Sequence, residues 1–167
     1  KYQHGLQLSH FAGQKYELRS YRKKGEAETF LFLNNQVSYE YQDLLELELV
    51  AGRFFSDQIA SDSSAVIINK SAANTFGFDD PVGQSLTSAF ASGPLHIIGV
   101  VKDYNFESLH KPVVPLTLEL FPKVNNGYLS VKLNSGLNLN ETVEFIDEKW
   151  SIYASDKPLQ YFFFDDD

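Results

Sequence analysis

The sequence predicts an α+β fold in two lobes. One lobe holds two strand–helix–strand units, and a smaller, mostly-β lobe with one short helix is inserted between them. Three observations predict this. Leu139, Val143, Ile146, Trp150 and Tyr153 recur at steps of 4, 3, 4 and 3, one continuous helical stripe. Alternating stretches flank that stripe at Tyr128–Leu133 and Leu159–Phe164, and a second strand–helix–strand order runs across Thr29–Gly52. The middle, roughly Phe54 to Val114, holds several short strand patterns and one small helix. The expected division is 1–53 with 115–167 as one discontinuous lobe, and 54–114 as the insert.

The elements follow in order. Residues 1–13 are weakly patterned, broken by Gly5 and Gly13. Lys15–Lys23 alternates, with Tyr16, Leu18 and Tyr21, and predicts a strand. A turn at Lys24–Gly25–Glu26 leads to a strand at Thr29–Leu33, making a hairpin. Val37, Tyr41, Leu44 and Leu45 share a helical face, with Ser38 as the expected N-cap. Leu47, Leu49 and Ala51 alternate up to Gly52. Phe54–Ser64 is polar and reads as a loop. Ala65–Ile68 is a short buried strand.

Asn69 can cap a helix through Ala72, Ala73 and Phe76, and Gly77 can end it in the left-handed conformation. Asp79–Gly83 is a turn. Gln84–Phe90 and Leu95–Lys102 are strands, the second apolar on both faces and so expected to be central. Asp103–Val114 is irregular, and Leu116, Leu118 and Leu120 alternate as a strand. Asn138, with Glu141 three residues on, resembles a capping box for the long helix.

Composition narrows the function. The chain has 167 residues, 43% of them apolar, enough for a real core. Its formal net charge is −8, which makes phosphate contacts repulsive and argues against nucleic acid or an anionic membrane as partner. There is no cysteine, hence no disulfide, thiolate metal site or cysteine nucleophile. No apolar run approaches the ~18 residues of a membrane helix. The sequence opens at Lys1 and holds no methionine, so it reads as a piece of a longer protein.

The search for reacting groups returns little. There is no G-x-S-x-G elbow, no H-E-x-x-H and no phosphate-binding glycine loop. His4, His10, His96 and His110 lack ligand spacing; the first two lie in a frayed end and His96 points to solvent. Asp79–Asp80 and Asp165–Asp167 lack the pattern of a calcium loop and read as solvated charge. Aromatic residues reach 14% of the chain and read mainly as core, with Tyr2, Tyr104, Phe106 and Tyr128 as the expected exposed ones.

Three stretches together carry a resemblance. They are Val37–Tyr41 through Leu49–Ser56 (LVAGRFFS), Asp62–Asn69 (DSSAVIIN) running on to Gly77 and Asp80–Pro81–Val82–Gly83, and Ile98–His110 (IGVVKDYNFESLH) followed by Pro115–Leu116. In this order and spacing they resemble the extracytoplasmic core domain of MacB/FtsX-like ABC transporter permeases, in the style found in Bacteroidetes. The resemblance covers roughly Val37 to Asp167. It implies a domain looped out between two membrane helices, with the lobe of 1–53 and 115–167 next to the membrane. It implies the periplasmic side of the bacterial inner membrane, and no catalysis, cofactor or metal.

The resemblance also implies partners: a cognate ATP-binding subunit, a second permease copy or a paralogue, and a periplasmic partner or exported substrate. Gly52 and Arg53 would turn the chain out of the first unit, and Asp80–Gly83 would make the tight turn of the insert. Asp103–His110 would lead back, with Tyr104, Asn105, Phe106 and His110 as candidate partner-facing or turn residues. Two other classes stay in view. A free-standing ligand- or carbohydrate-binding module would use exposed aromatics around a concave pocket. A hydrolase would hold a carboxylate or histidine of strongly perturbed pKa in a cleft. The permease reading expects instead that the two chain ends lie close together.

Overall fold

The computed structural model describes residues 4–9, 16–104, 113–121, 129–134, 136–155 and 158–163. The fold is α+β, and the chain divides into two compact units. The smaller holds β1 (His4–Ser9), β9 (Leu129–Leu133), α3 (Leu139–Tyr153) and β10 (Gln160–Phe163). The larger holds β2 (Glu17–Lys23), β3 (Phe30–Val37), α1 (Tyr41–Leu44), β4 (Leu49–Gly52), β5 (Ala65–Asn69), α2 (Lys70–Phe76), β6 (Ser85–Ser88), β7 (Leu95–Val101) and β8 (Leu116–Leu120).

In the larger unit the strand order is β4-β7-β5-β8-β3-β2-β6. Strand β6 also pairs with the start of β7, Ser85 opposite His96 and Leu86 opposite Leu95. Six strands therefore close on themselves, and β4 is appended to the second half of β7. Closure removes free edges that would otherwise template aggregation. Strand β7 has neighbours on both sides, as its two apolar faces predict.

The core on one face gathers Tyr21, Phe32, Val66, Ile68, Leu86, Ile97 and Val100 with Ala72, Ala73 and Phe76 of α2. Burying an aliphatic or aromatic side chain of this size contributes about 1.5–3 kcal/mol. Phe76 drives the packing of α2. Its ring meets Phe32 edge-on at 4.7 Å and Phe30 at 4.9 Å, the geometry the ring quadrupoles favour. Asn69 caps α2 by accepting from the Ala72 N–H at 2.9 Å, and Gly77 closes it at φ 70°.

Close approach explains one glycine pair. A Cβ on Gly52 would lie 2.2 Å from the Ile98 carbonyl oxygen, and one on Gly99 2.3 Å from that of Arg53. Strands β4 and β7 thus pair, Gly52 opposite Gly99, where neither tolerates a side chain. Gly52 also sits at φ 75° at the end of β4, a conformation that favours glycine. Gly83 closes the Pro81–Gln84 turn at φ 87°.

The smaller unit is a three-stranded antiparallel sheet in the order β10-β1-β9. Helix α3 packs Leu139 and Ile146 against Val131, Leu133 and Leu159. Five-residue β9 spans about 17 Å, whereas fifteen-residue α3 spans about 22 Å. The last helical turn overhangs, and Tyr153 is 89% exposed although it continues the stripe. Asn138 caps α3 through the N–H groups of Asn140 and Glu141, and its own Nδ2 donates to Glu141 Oε1 at 2.9 Å.

Several expectations meet corrections. The weakly patterned start contains β1, the central strand of its sheet, with His4 opposite Leu133 rather than frayed. Strand β3 runs on to Val37, so Val37 is not helical. Its middle is polar in sequence, but Asn34 and Asn35 are buried, the Asn34 Nδ2 donating to Tyr21 and Thr117 and the Asn35 Nδ2 to Tyr41. Helix α1 is a single turn with Glu40 at the N-cap and no side-chain cap, so Ser38 does not serve. The loop before β5 winds into a 3-10 helix, Ala60–Ser64.

The lobe boundaries also fall elsewhere. Beta-3 pairs in parallel with β8, and β4 pairs with β7. Residues 17–52 thus share a sheet with the segment expected to be the insert. The strand–helix–strand order of 29–52 does not make a βαβ unit, because β3 and β4 are not neighbours.

Candidate functional site

The expected partner-facing segment leaves the end of β7. Tyr104 is half-buried. Asn105, Phe106 and His110 lie outside the described residues, as do Tyr2 and Tyr128. What the structure does show is how both feet of this segment are fastened to the start of α2.

Asn69 is 1% exposed and makes three bonds from one side chain. Its Oδ1 accepts from the N–H of Ala72 and of Leu116, both at 2.9 Å. Its Nδ2 donates to the Val114 carbonyl at 2.9 Å. One residue therefore caps a helix and pins the chain entering β8. On the other foot, Asp103 accepts from the Ser71 N–H at 2.8 Å, where a carboxylate also favours the positive end of the helix. Next to it the Lys102 N–H donates to the Glu48 carbonyl at 2.8 Å, and Lys102 pairs with the Glu48 carboxylate.

Tyr104 turns inward. Its hydroxyl oxygen is shielded from solvent. The buried Tyr41 hydroxyl accepts from Asn35 Nδ2 at 3.0 Å. Burial pushes the phenols of Tyr41 and Tyr104 above the ordinary tyrosine range; the Tyr41 hydroxyl raises Tyr104 further.

A second anchor lies at the turn out of β4. Arg53 grips Asp62 with both nitrogens, at 2.9 and 2.6 Å, and also donates to the Phe54 carbonyl. Asp62 is 1% exposed and further accepts from the Ser56 N–H at 2.9 Å. The Arg53 guanidinium holds the Asp62 carboxyl below the usual carboxylate range, against the opposing effect of burial.

The third feature is a buried polar row across β2, β3 and β8. Tyr21 donates to Glu119 at 2.7 Å and accepts from Asn34 and Thr117 at 3.1 and 2.9 Å. Arg19 bridges Glu17 and Glu119, each at 2.8 Å. Burial, then the Glu119 carboxylate, pushes the Tyr21 phenol well above its ordinary value. These groups pair with one another across three strands, which fixes register.

Nothing in these three features sets a nucleophile beside a base. His96 is exposed and meets Ser85 Oγ at 3.1 Å, a hydroxyl and not a carboxylate. Among the described residues no three His, Cys, Asp or Glu side chains gather as metal ligands. Of the exposed aromatics, Phe145 and Tyr153 share α3, Tyr161 is on β10, Phe90 follows β6 and Phe121 follows β8. The bonds of Asn69 to Val114 and Leu116 had no local signal, because they depend on contacts distant in sequence.

Solved structures share this fold. The periplasmic region of MacB from Actinobacillus actinomycetemcomitans matches with a TM-score of 0.68 at 15% identity, over 94% of this chain and 70% of that one. The extracellular domain of the noncanonic ABC-type transporter YknZ from Gram-positive bacteria gives 0.64 at 19% identity, over 94% and 80%. A domain of a putative permease from Porphyromonas gingivalis gives 0.62 at 18% identity, over 100% and 77%, in keeping with the Bacteroidetes style of the sequence. The fold is thus that of domains standing outside the membrane in transporter proteins. Residues 8–149 match the MacB-like periplasmic core domain, and the chain belongs to that family. No curated protein matches it.

Proposed function

We propose that this domain is the non-catalytic periplasmic part of an ABC transporter permease. It passes ATP-driven motion of the membrane helices to a substrate or partner outside the inner membrane. One observation carries the reading: entry and exit of the domain are neighbours. Strands β1 and β10 pair antiparallel, Leu6 opposite Phe163 and Ser9 opposite Gln160. The start of β1 and the end of β10 therefore lie side by side, about 5 Å apart across the ladder. Two membrane helices packed at about 8–10 Å can feed such a pair directly. Both then move the same small sheet, and the domain travels as a carried body.

The ATP-binding subunit and a second permease copy or paralogue are the partners this implies. Membrane attachment is part of the proposal; among the described residues no helix is long and apolar enough to cross a membrane. The fastened feet of 105–112 fit a segment presented to a periplasmic partner.

The test replaces the domain within the parent transporter by a short Gly/Ser linker. ATP hydrolysis by the partner subunit is expected to persist while export or partner engagement is lost. Export at the original rate would overturn the reading.

A further inference from the structure

We infer that the outward flank of α3 is a docking surface for a cationic, amphipathic polypeptide segment. Phe145, Lys149 and Ile152 follow at steps of 4 and 3, one row along the helix, and Tyr153 stands beside its end. This row is not the one that packs on the sheet, which presents Leu139 and Ile146. Phe145 is 58% exposed, Ile152 65% and Tyr153 89%. At about 200 Å² for a fully exposed side chain of this size, the three leave about 400 Å² to water. The largest apolar patch of a typical monomer is of that order, and such patches mark contact sites.

Charge selects the occupant. Glu141, Glu144 and Glu148, at steps of 3 and 4, form a second exposed row directly beside the apolar one. Asn138 engages Glu141, but among the described residues neither Glu144 nor Glu148 pairs with a cation. Lys149 instead holds its ammonium 5.2 Å from the centre of the Phe145 ring. That ring already accepts a cation, and an incoming lysine or arginine can take it in turn. A partner that brings apolar side chains flanked by positive ones meets both rows at once.

The same features disfavour other occupants. A second copy would set one acidic row against another, and about 400 Å² is half of what each side of a standard interface buries. Anionic lipid is repelled by the acidic row as well. Helix α3 starts beside Leu133, which pairs with His4 at the end of the sheet where Phe163 pairs with Leu6. It runs back toward Leu159, so Tyr153 stands about 20 Å from that end. On the permease reading, where that end adjoins the membrane, the flank is beyond headgroup reach. This placement rests on that reading; the charge does not.

Fluorescence anisotropy on the 167-residue chain tests it. The probe is a labelled helical peptide of leucine and lysine, and the control is the same peptide with glutamate for lysine. The lysine peptide is expected to bind, to lose affinity as salt rises, and to shift amide resonances of 141–153. Phe145→Ser with Ile152→Ser should weaken it about tenfold or more, and Glu144→Gln with Glu148→Gln about threefold or more. All four side chains are exposed, so far-UV circular dichroism should stay as in wild type. No binding of the lysine peptide, equal binding of the glutamate peptide, shifts centred outside α3, or an affinity that neither pair of substitutions changes would overturn the surface. So would dimers in sedimentation that Phe145→Ser with Ile152→Ser abolishes, since the flank would then be a self-contact. Binding to phosphatidylglycerol vesicles lost in that same variant would overturn it too, as a lipid contact. None of these measurements involves transport. Failure here leaves the mechanical reading standing, and export unaffected by removal of the domain leaves the peptide result as it is.

Discussion

Asn69→Ala should cost the larger unit more than a helix cap is worth. The side chain makes three bonds, to the Ala72 N–H, the Leu116 N–H and the Val114 carbonyl, each 2.9 Å. Loss of an N-cap costs about 1 kcal/mol. The Leu116 N–H is buried, and stranding it adds about 1–3 kcal/mol; the half-buried Val114 carbonyl adds less, since water can reach it. The expected total is about 3 kcal/mol, or a midpoint lower by about 6–12 °C for a chain of this size. Urea unfolding followed by far-UV circular dichroism measures it, with exchange of the Ala72 and Leu116 amides as the local readout. Asn69→Ser separates the parts. Serine can cap α2 but is too short to reach across to Leu116, so it should recover only about 1 kcal/mol of the loss. A loss below about 1 kcal/mol for alanine, or full recovery by serine, would refute the reasoning: the bonds to 114–116 would then hold nothing.

Three further outcomes follow from the geometry. Gly99→Ala puts a Cβ 2.3 Å from the Arg53 carbonyl oxygen, a backbone atom that cannot swing away, so soluble yield or midpoint should fall sharply; near wild-type thermal unfolding would contradict that close approach. Asp62 has a folded pKa below its unfolded value, so its pairing with Arg53 contributes stability above about pH 4 and loses it as pH falls through the folded value. Asp62→Asn should therefore be less stable than wild type at pH 7 and converge with it in acid, as urea midpoints across pH would show. Tyr41 and Tyr104 have folded pKa values above the unfolded one. Their contribution is complete below about pH 10 and is lost as pH rises through the folded values; replacing both by phenylalanine should flatten the alkaline fall in stability.

Short-range signals were readable in the sequence. Asn69 and Gly77 bracket α2, Gly83 marks a turn, and Leu139 and Ile146 of the helical stripe face the sheet. Pairing was not. Strand β3 joins β8 and β2 joins β6 across long stretches of chain, so nothing local assigns residues 17–52 to the larger sheet. Asn34–Asn35–Gln36 reads as a break because polar residues seldom fill a strand core. Asn34 Nδ2 donates to partners on β2 and β8 and Asn35 Nδ2 to Tyr41 on α1, and the strand continues. Strand β1 escaped notice because its place is set by β9 and β10, at the far end of the chain.

The central claim is that the domain is carried by its two adjacent ends when ATP is used. The chain has no cysteine, so Tyr153→Cys on the overhanging end of α3, where the side chain is 89% exposed, gives one labelling site in this domain. Spin labels there, in two copies of the parent transporter freed of other reactive cysteines and placed in lipid nanodiscs, report the distance between domains. The account predicts that the distance distribution shifts by several ångström between the nucleotide-free and ATP-trapped states, as for a body moved by its helices. An identical distribution in both states, with ATP hydrolysis intact, would contradict it.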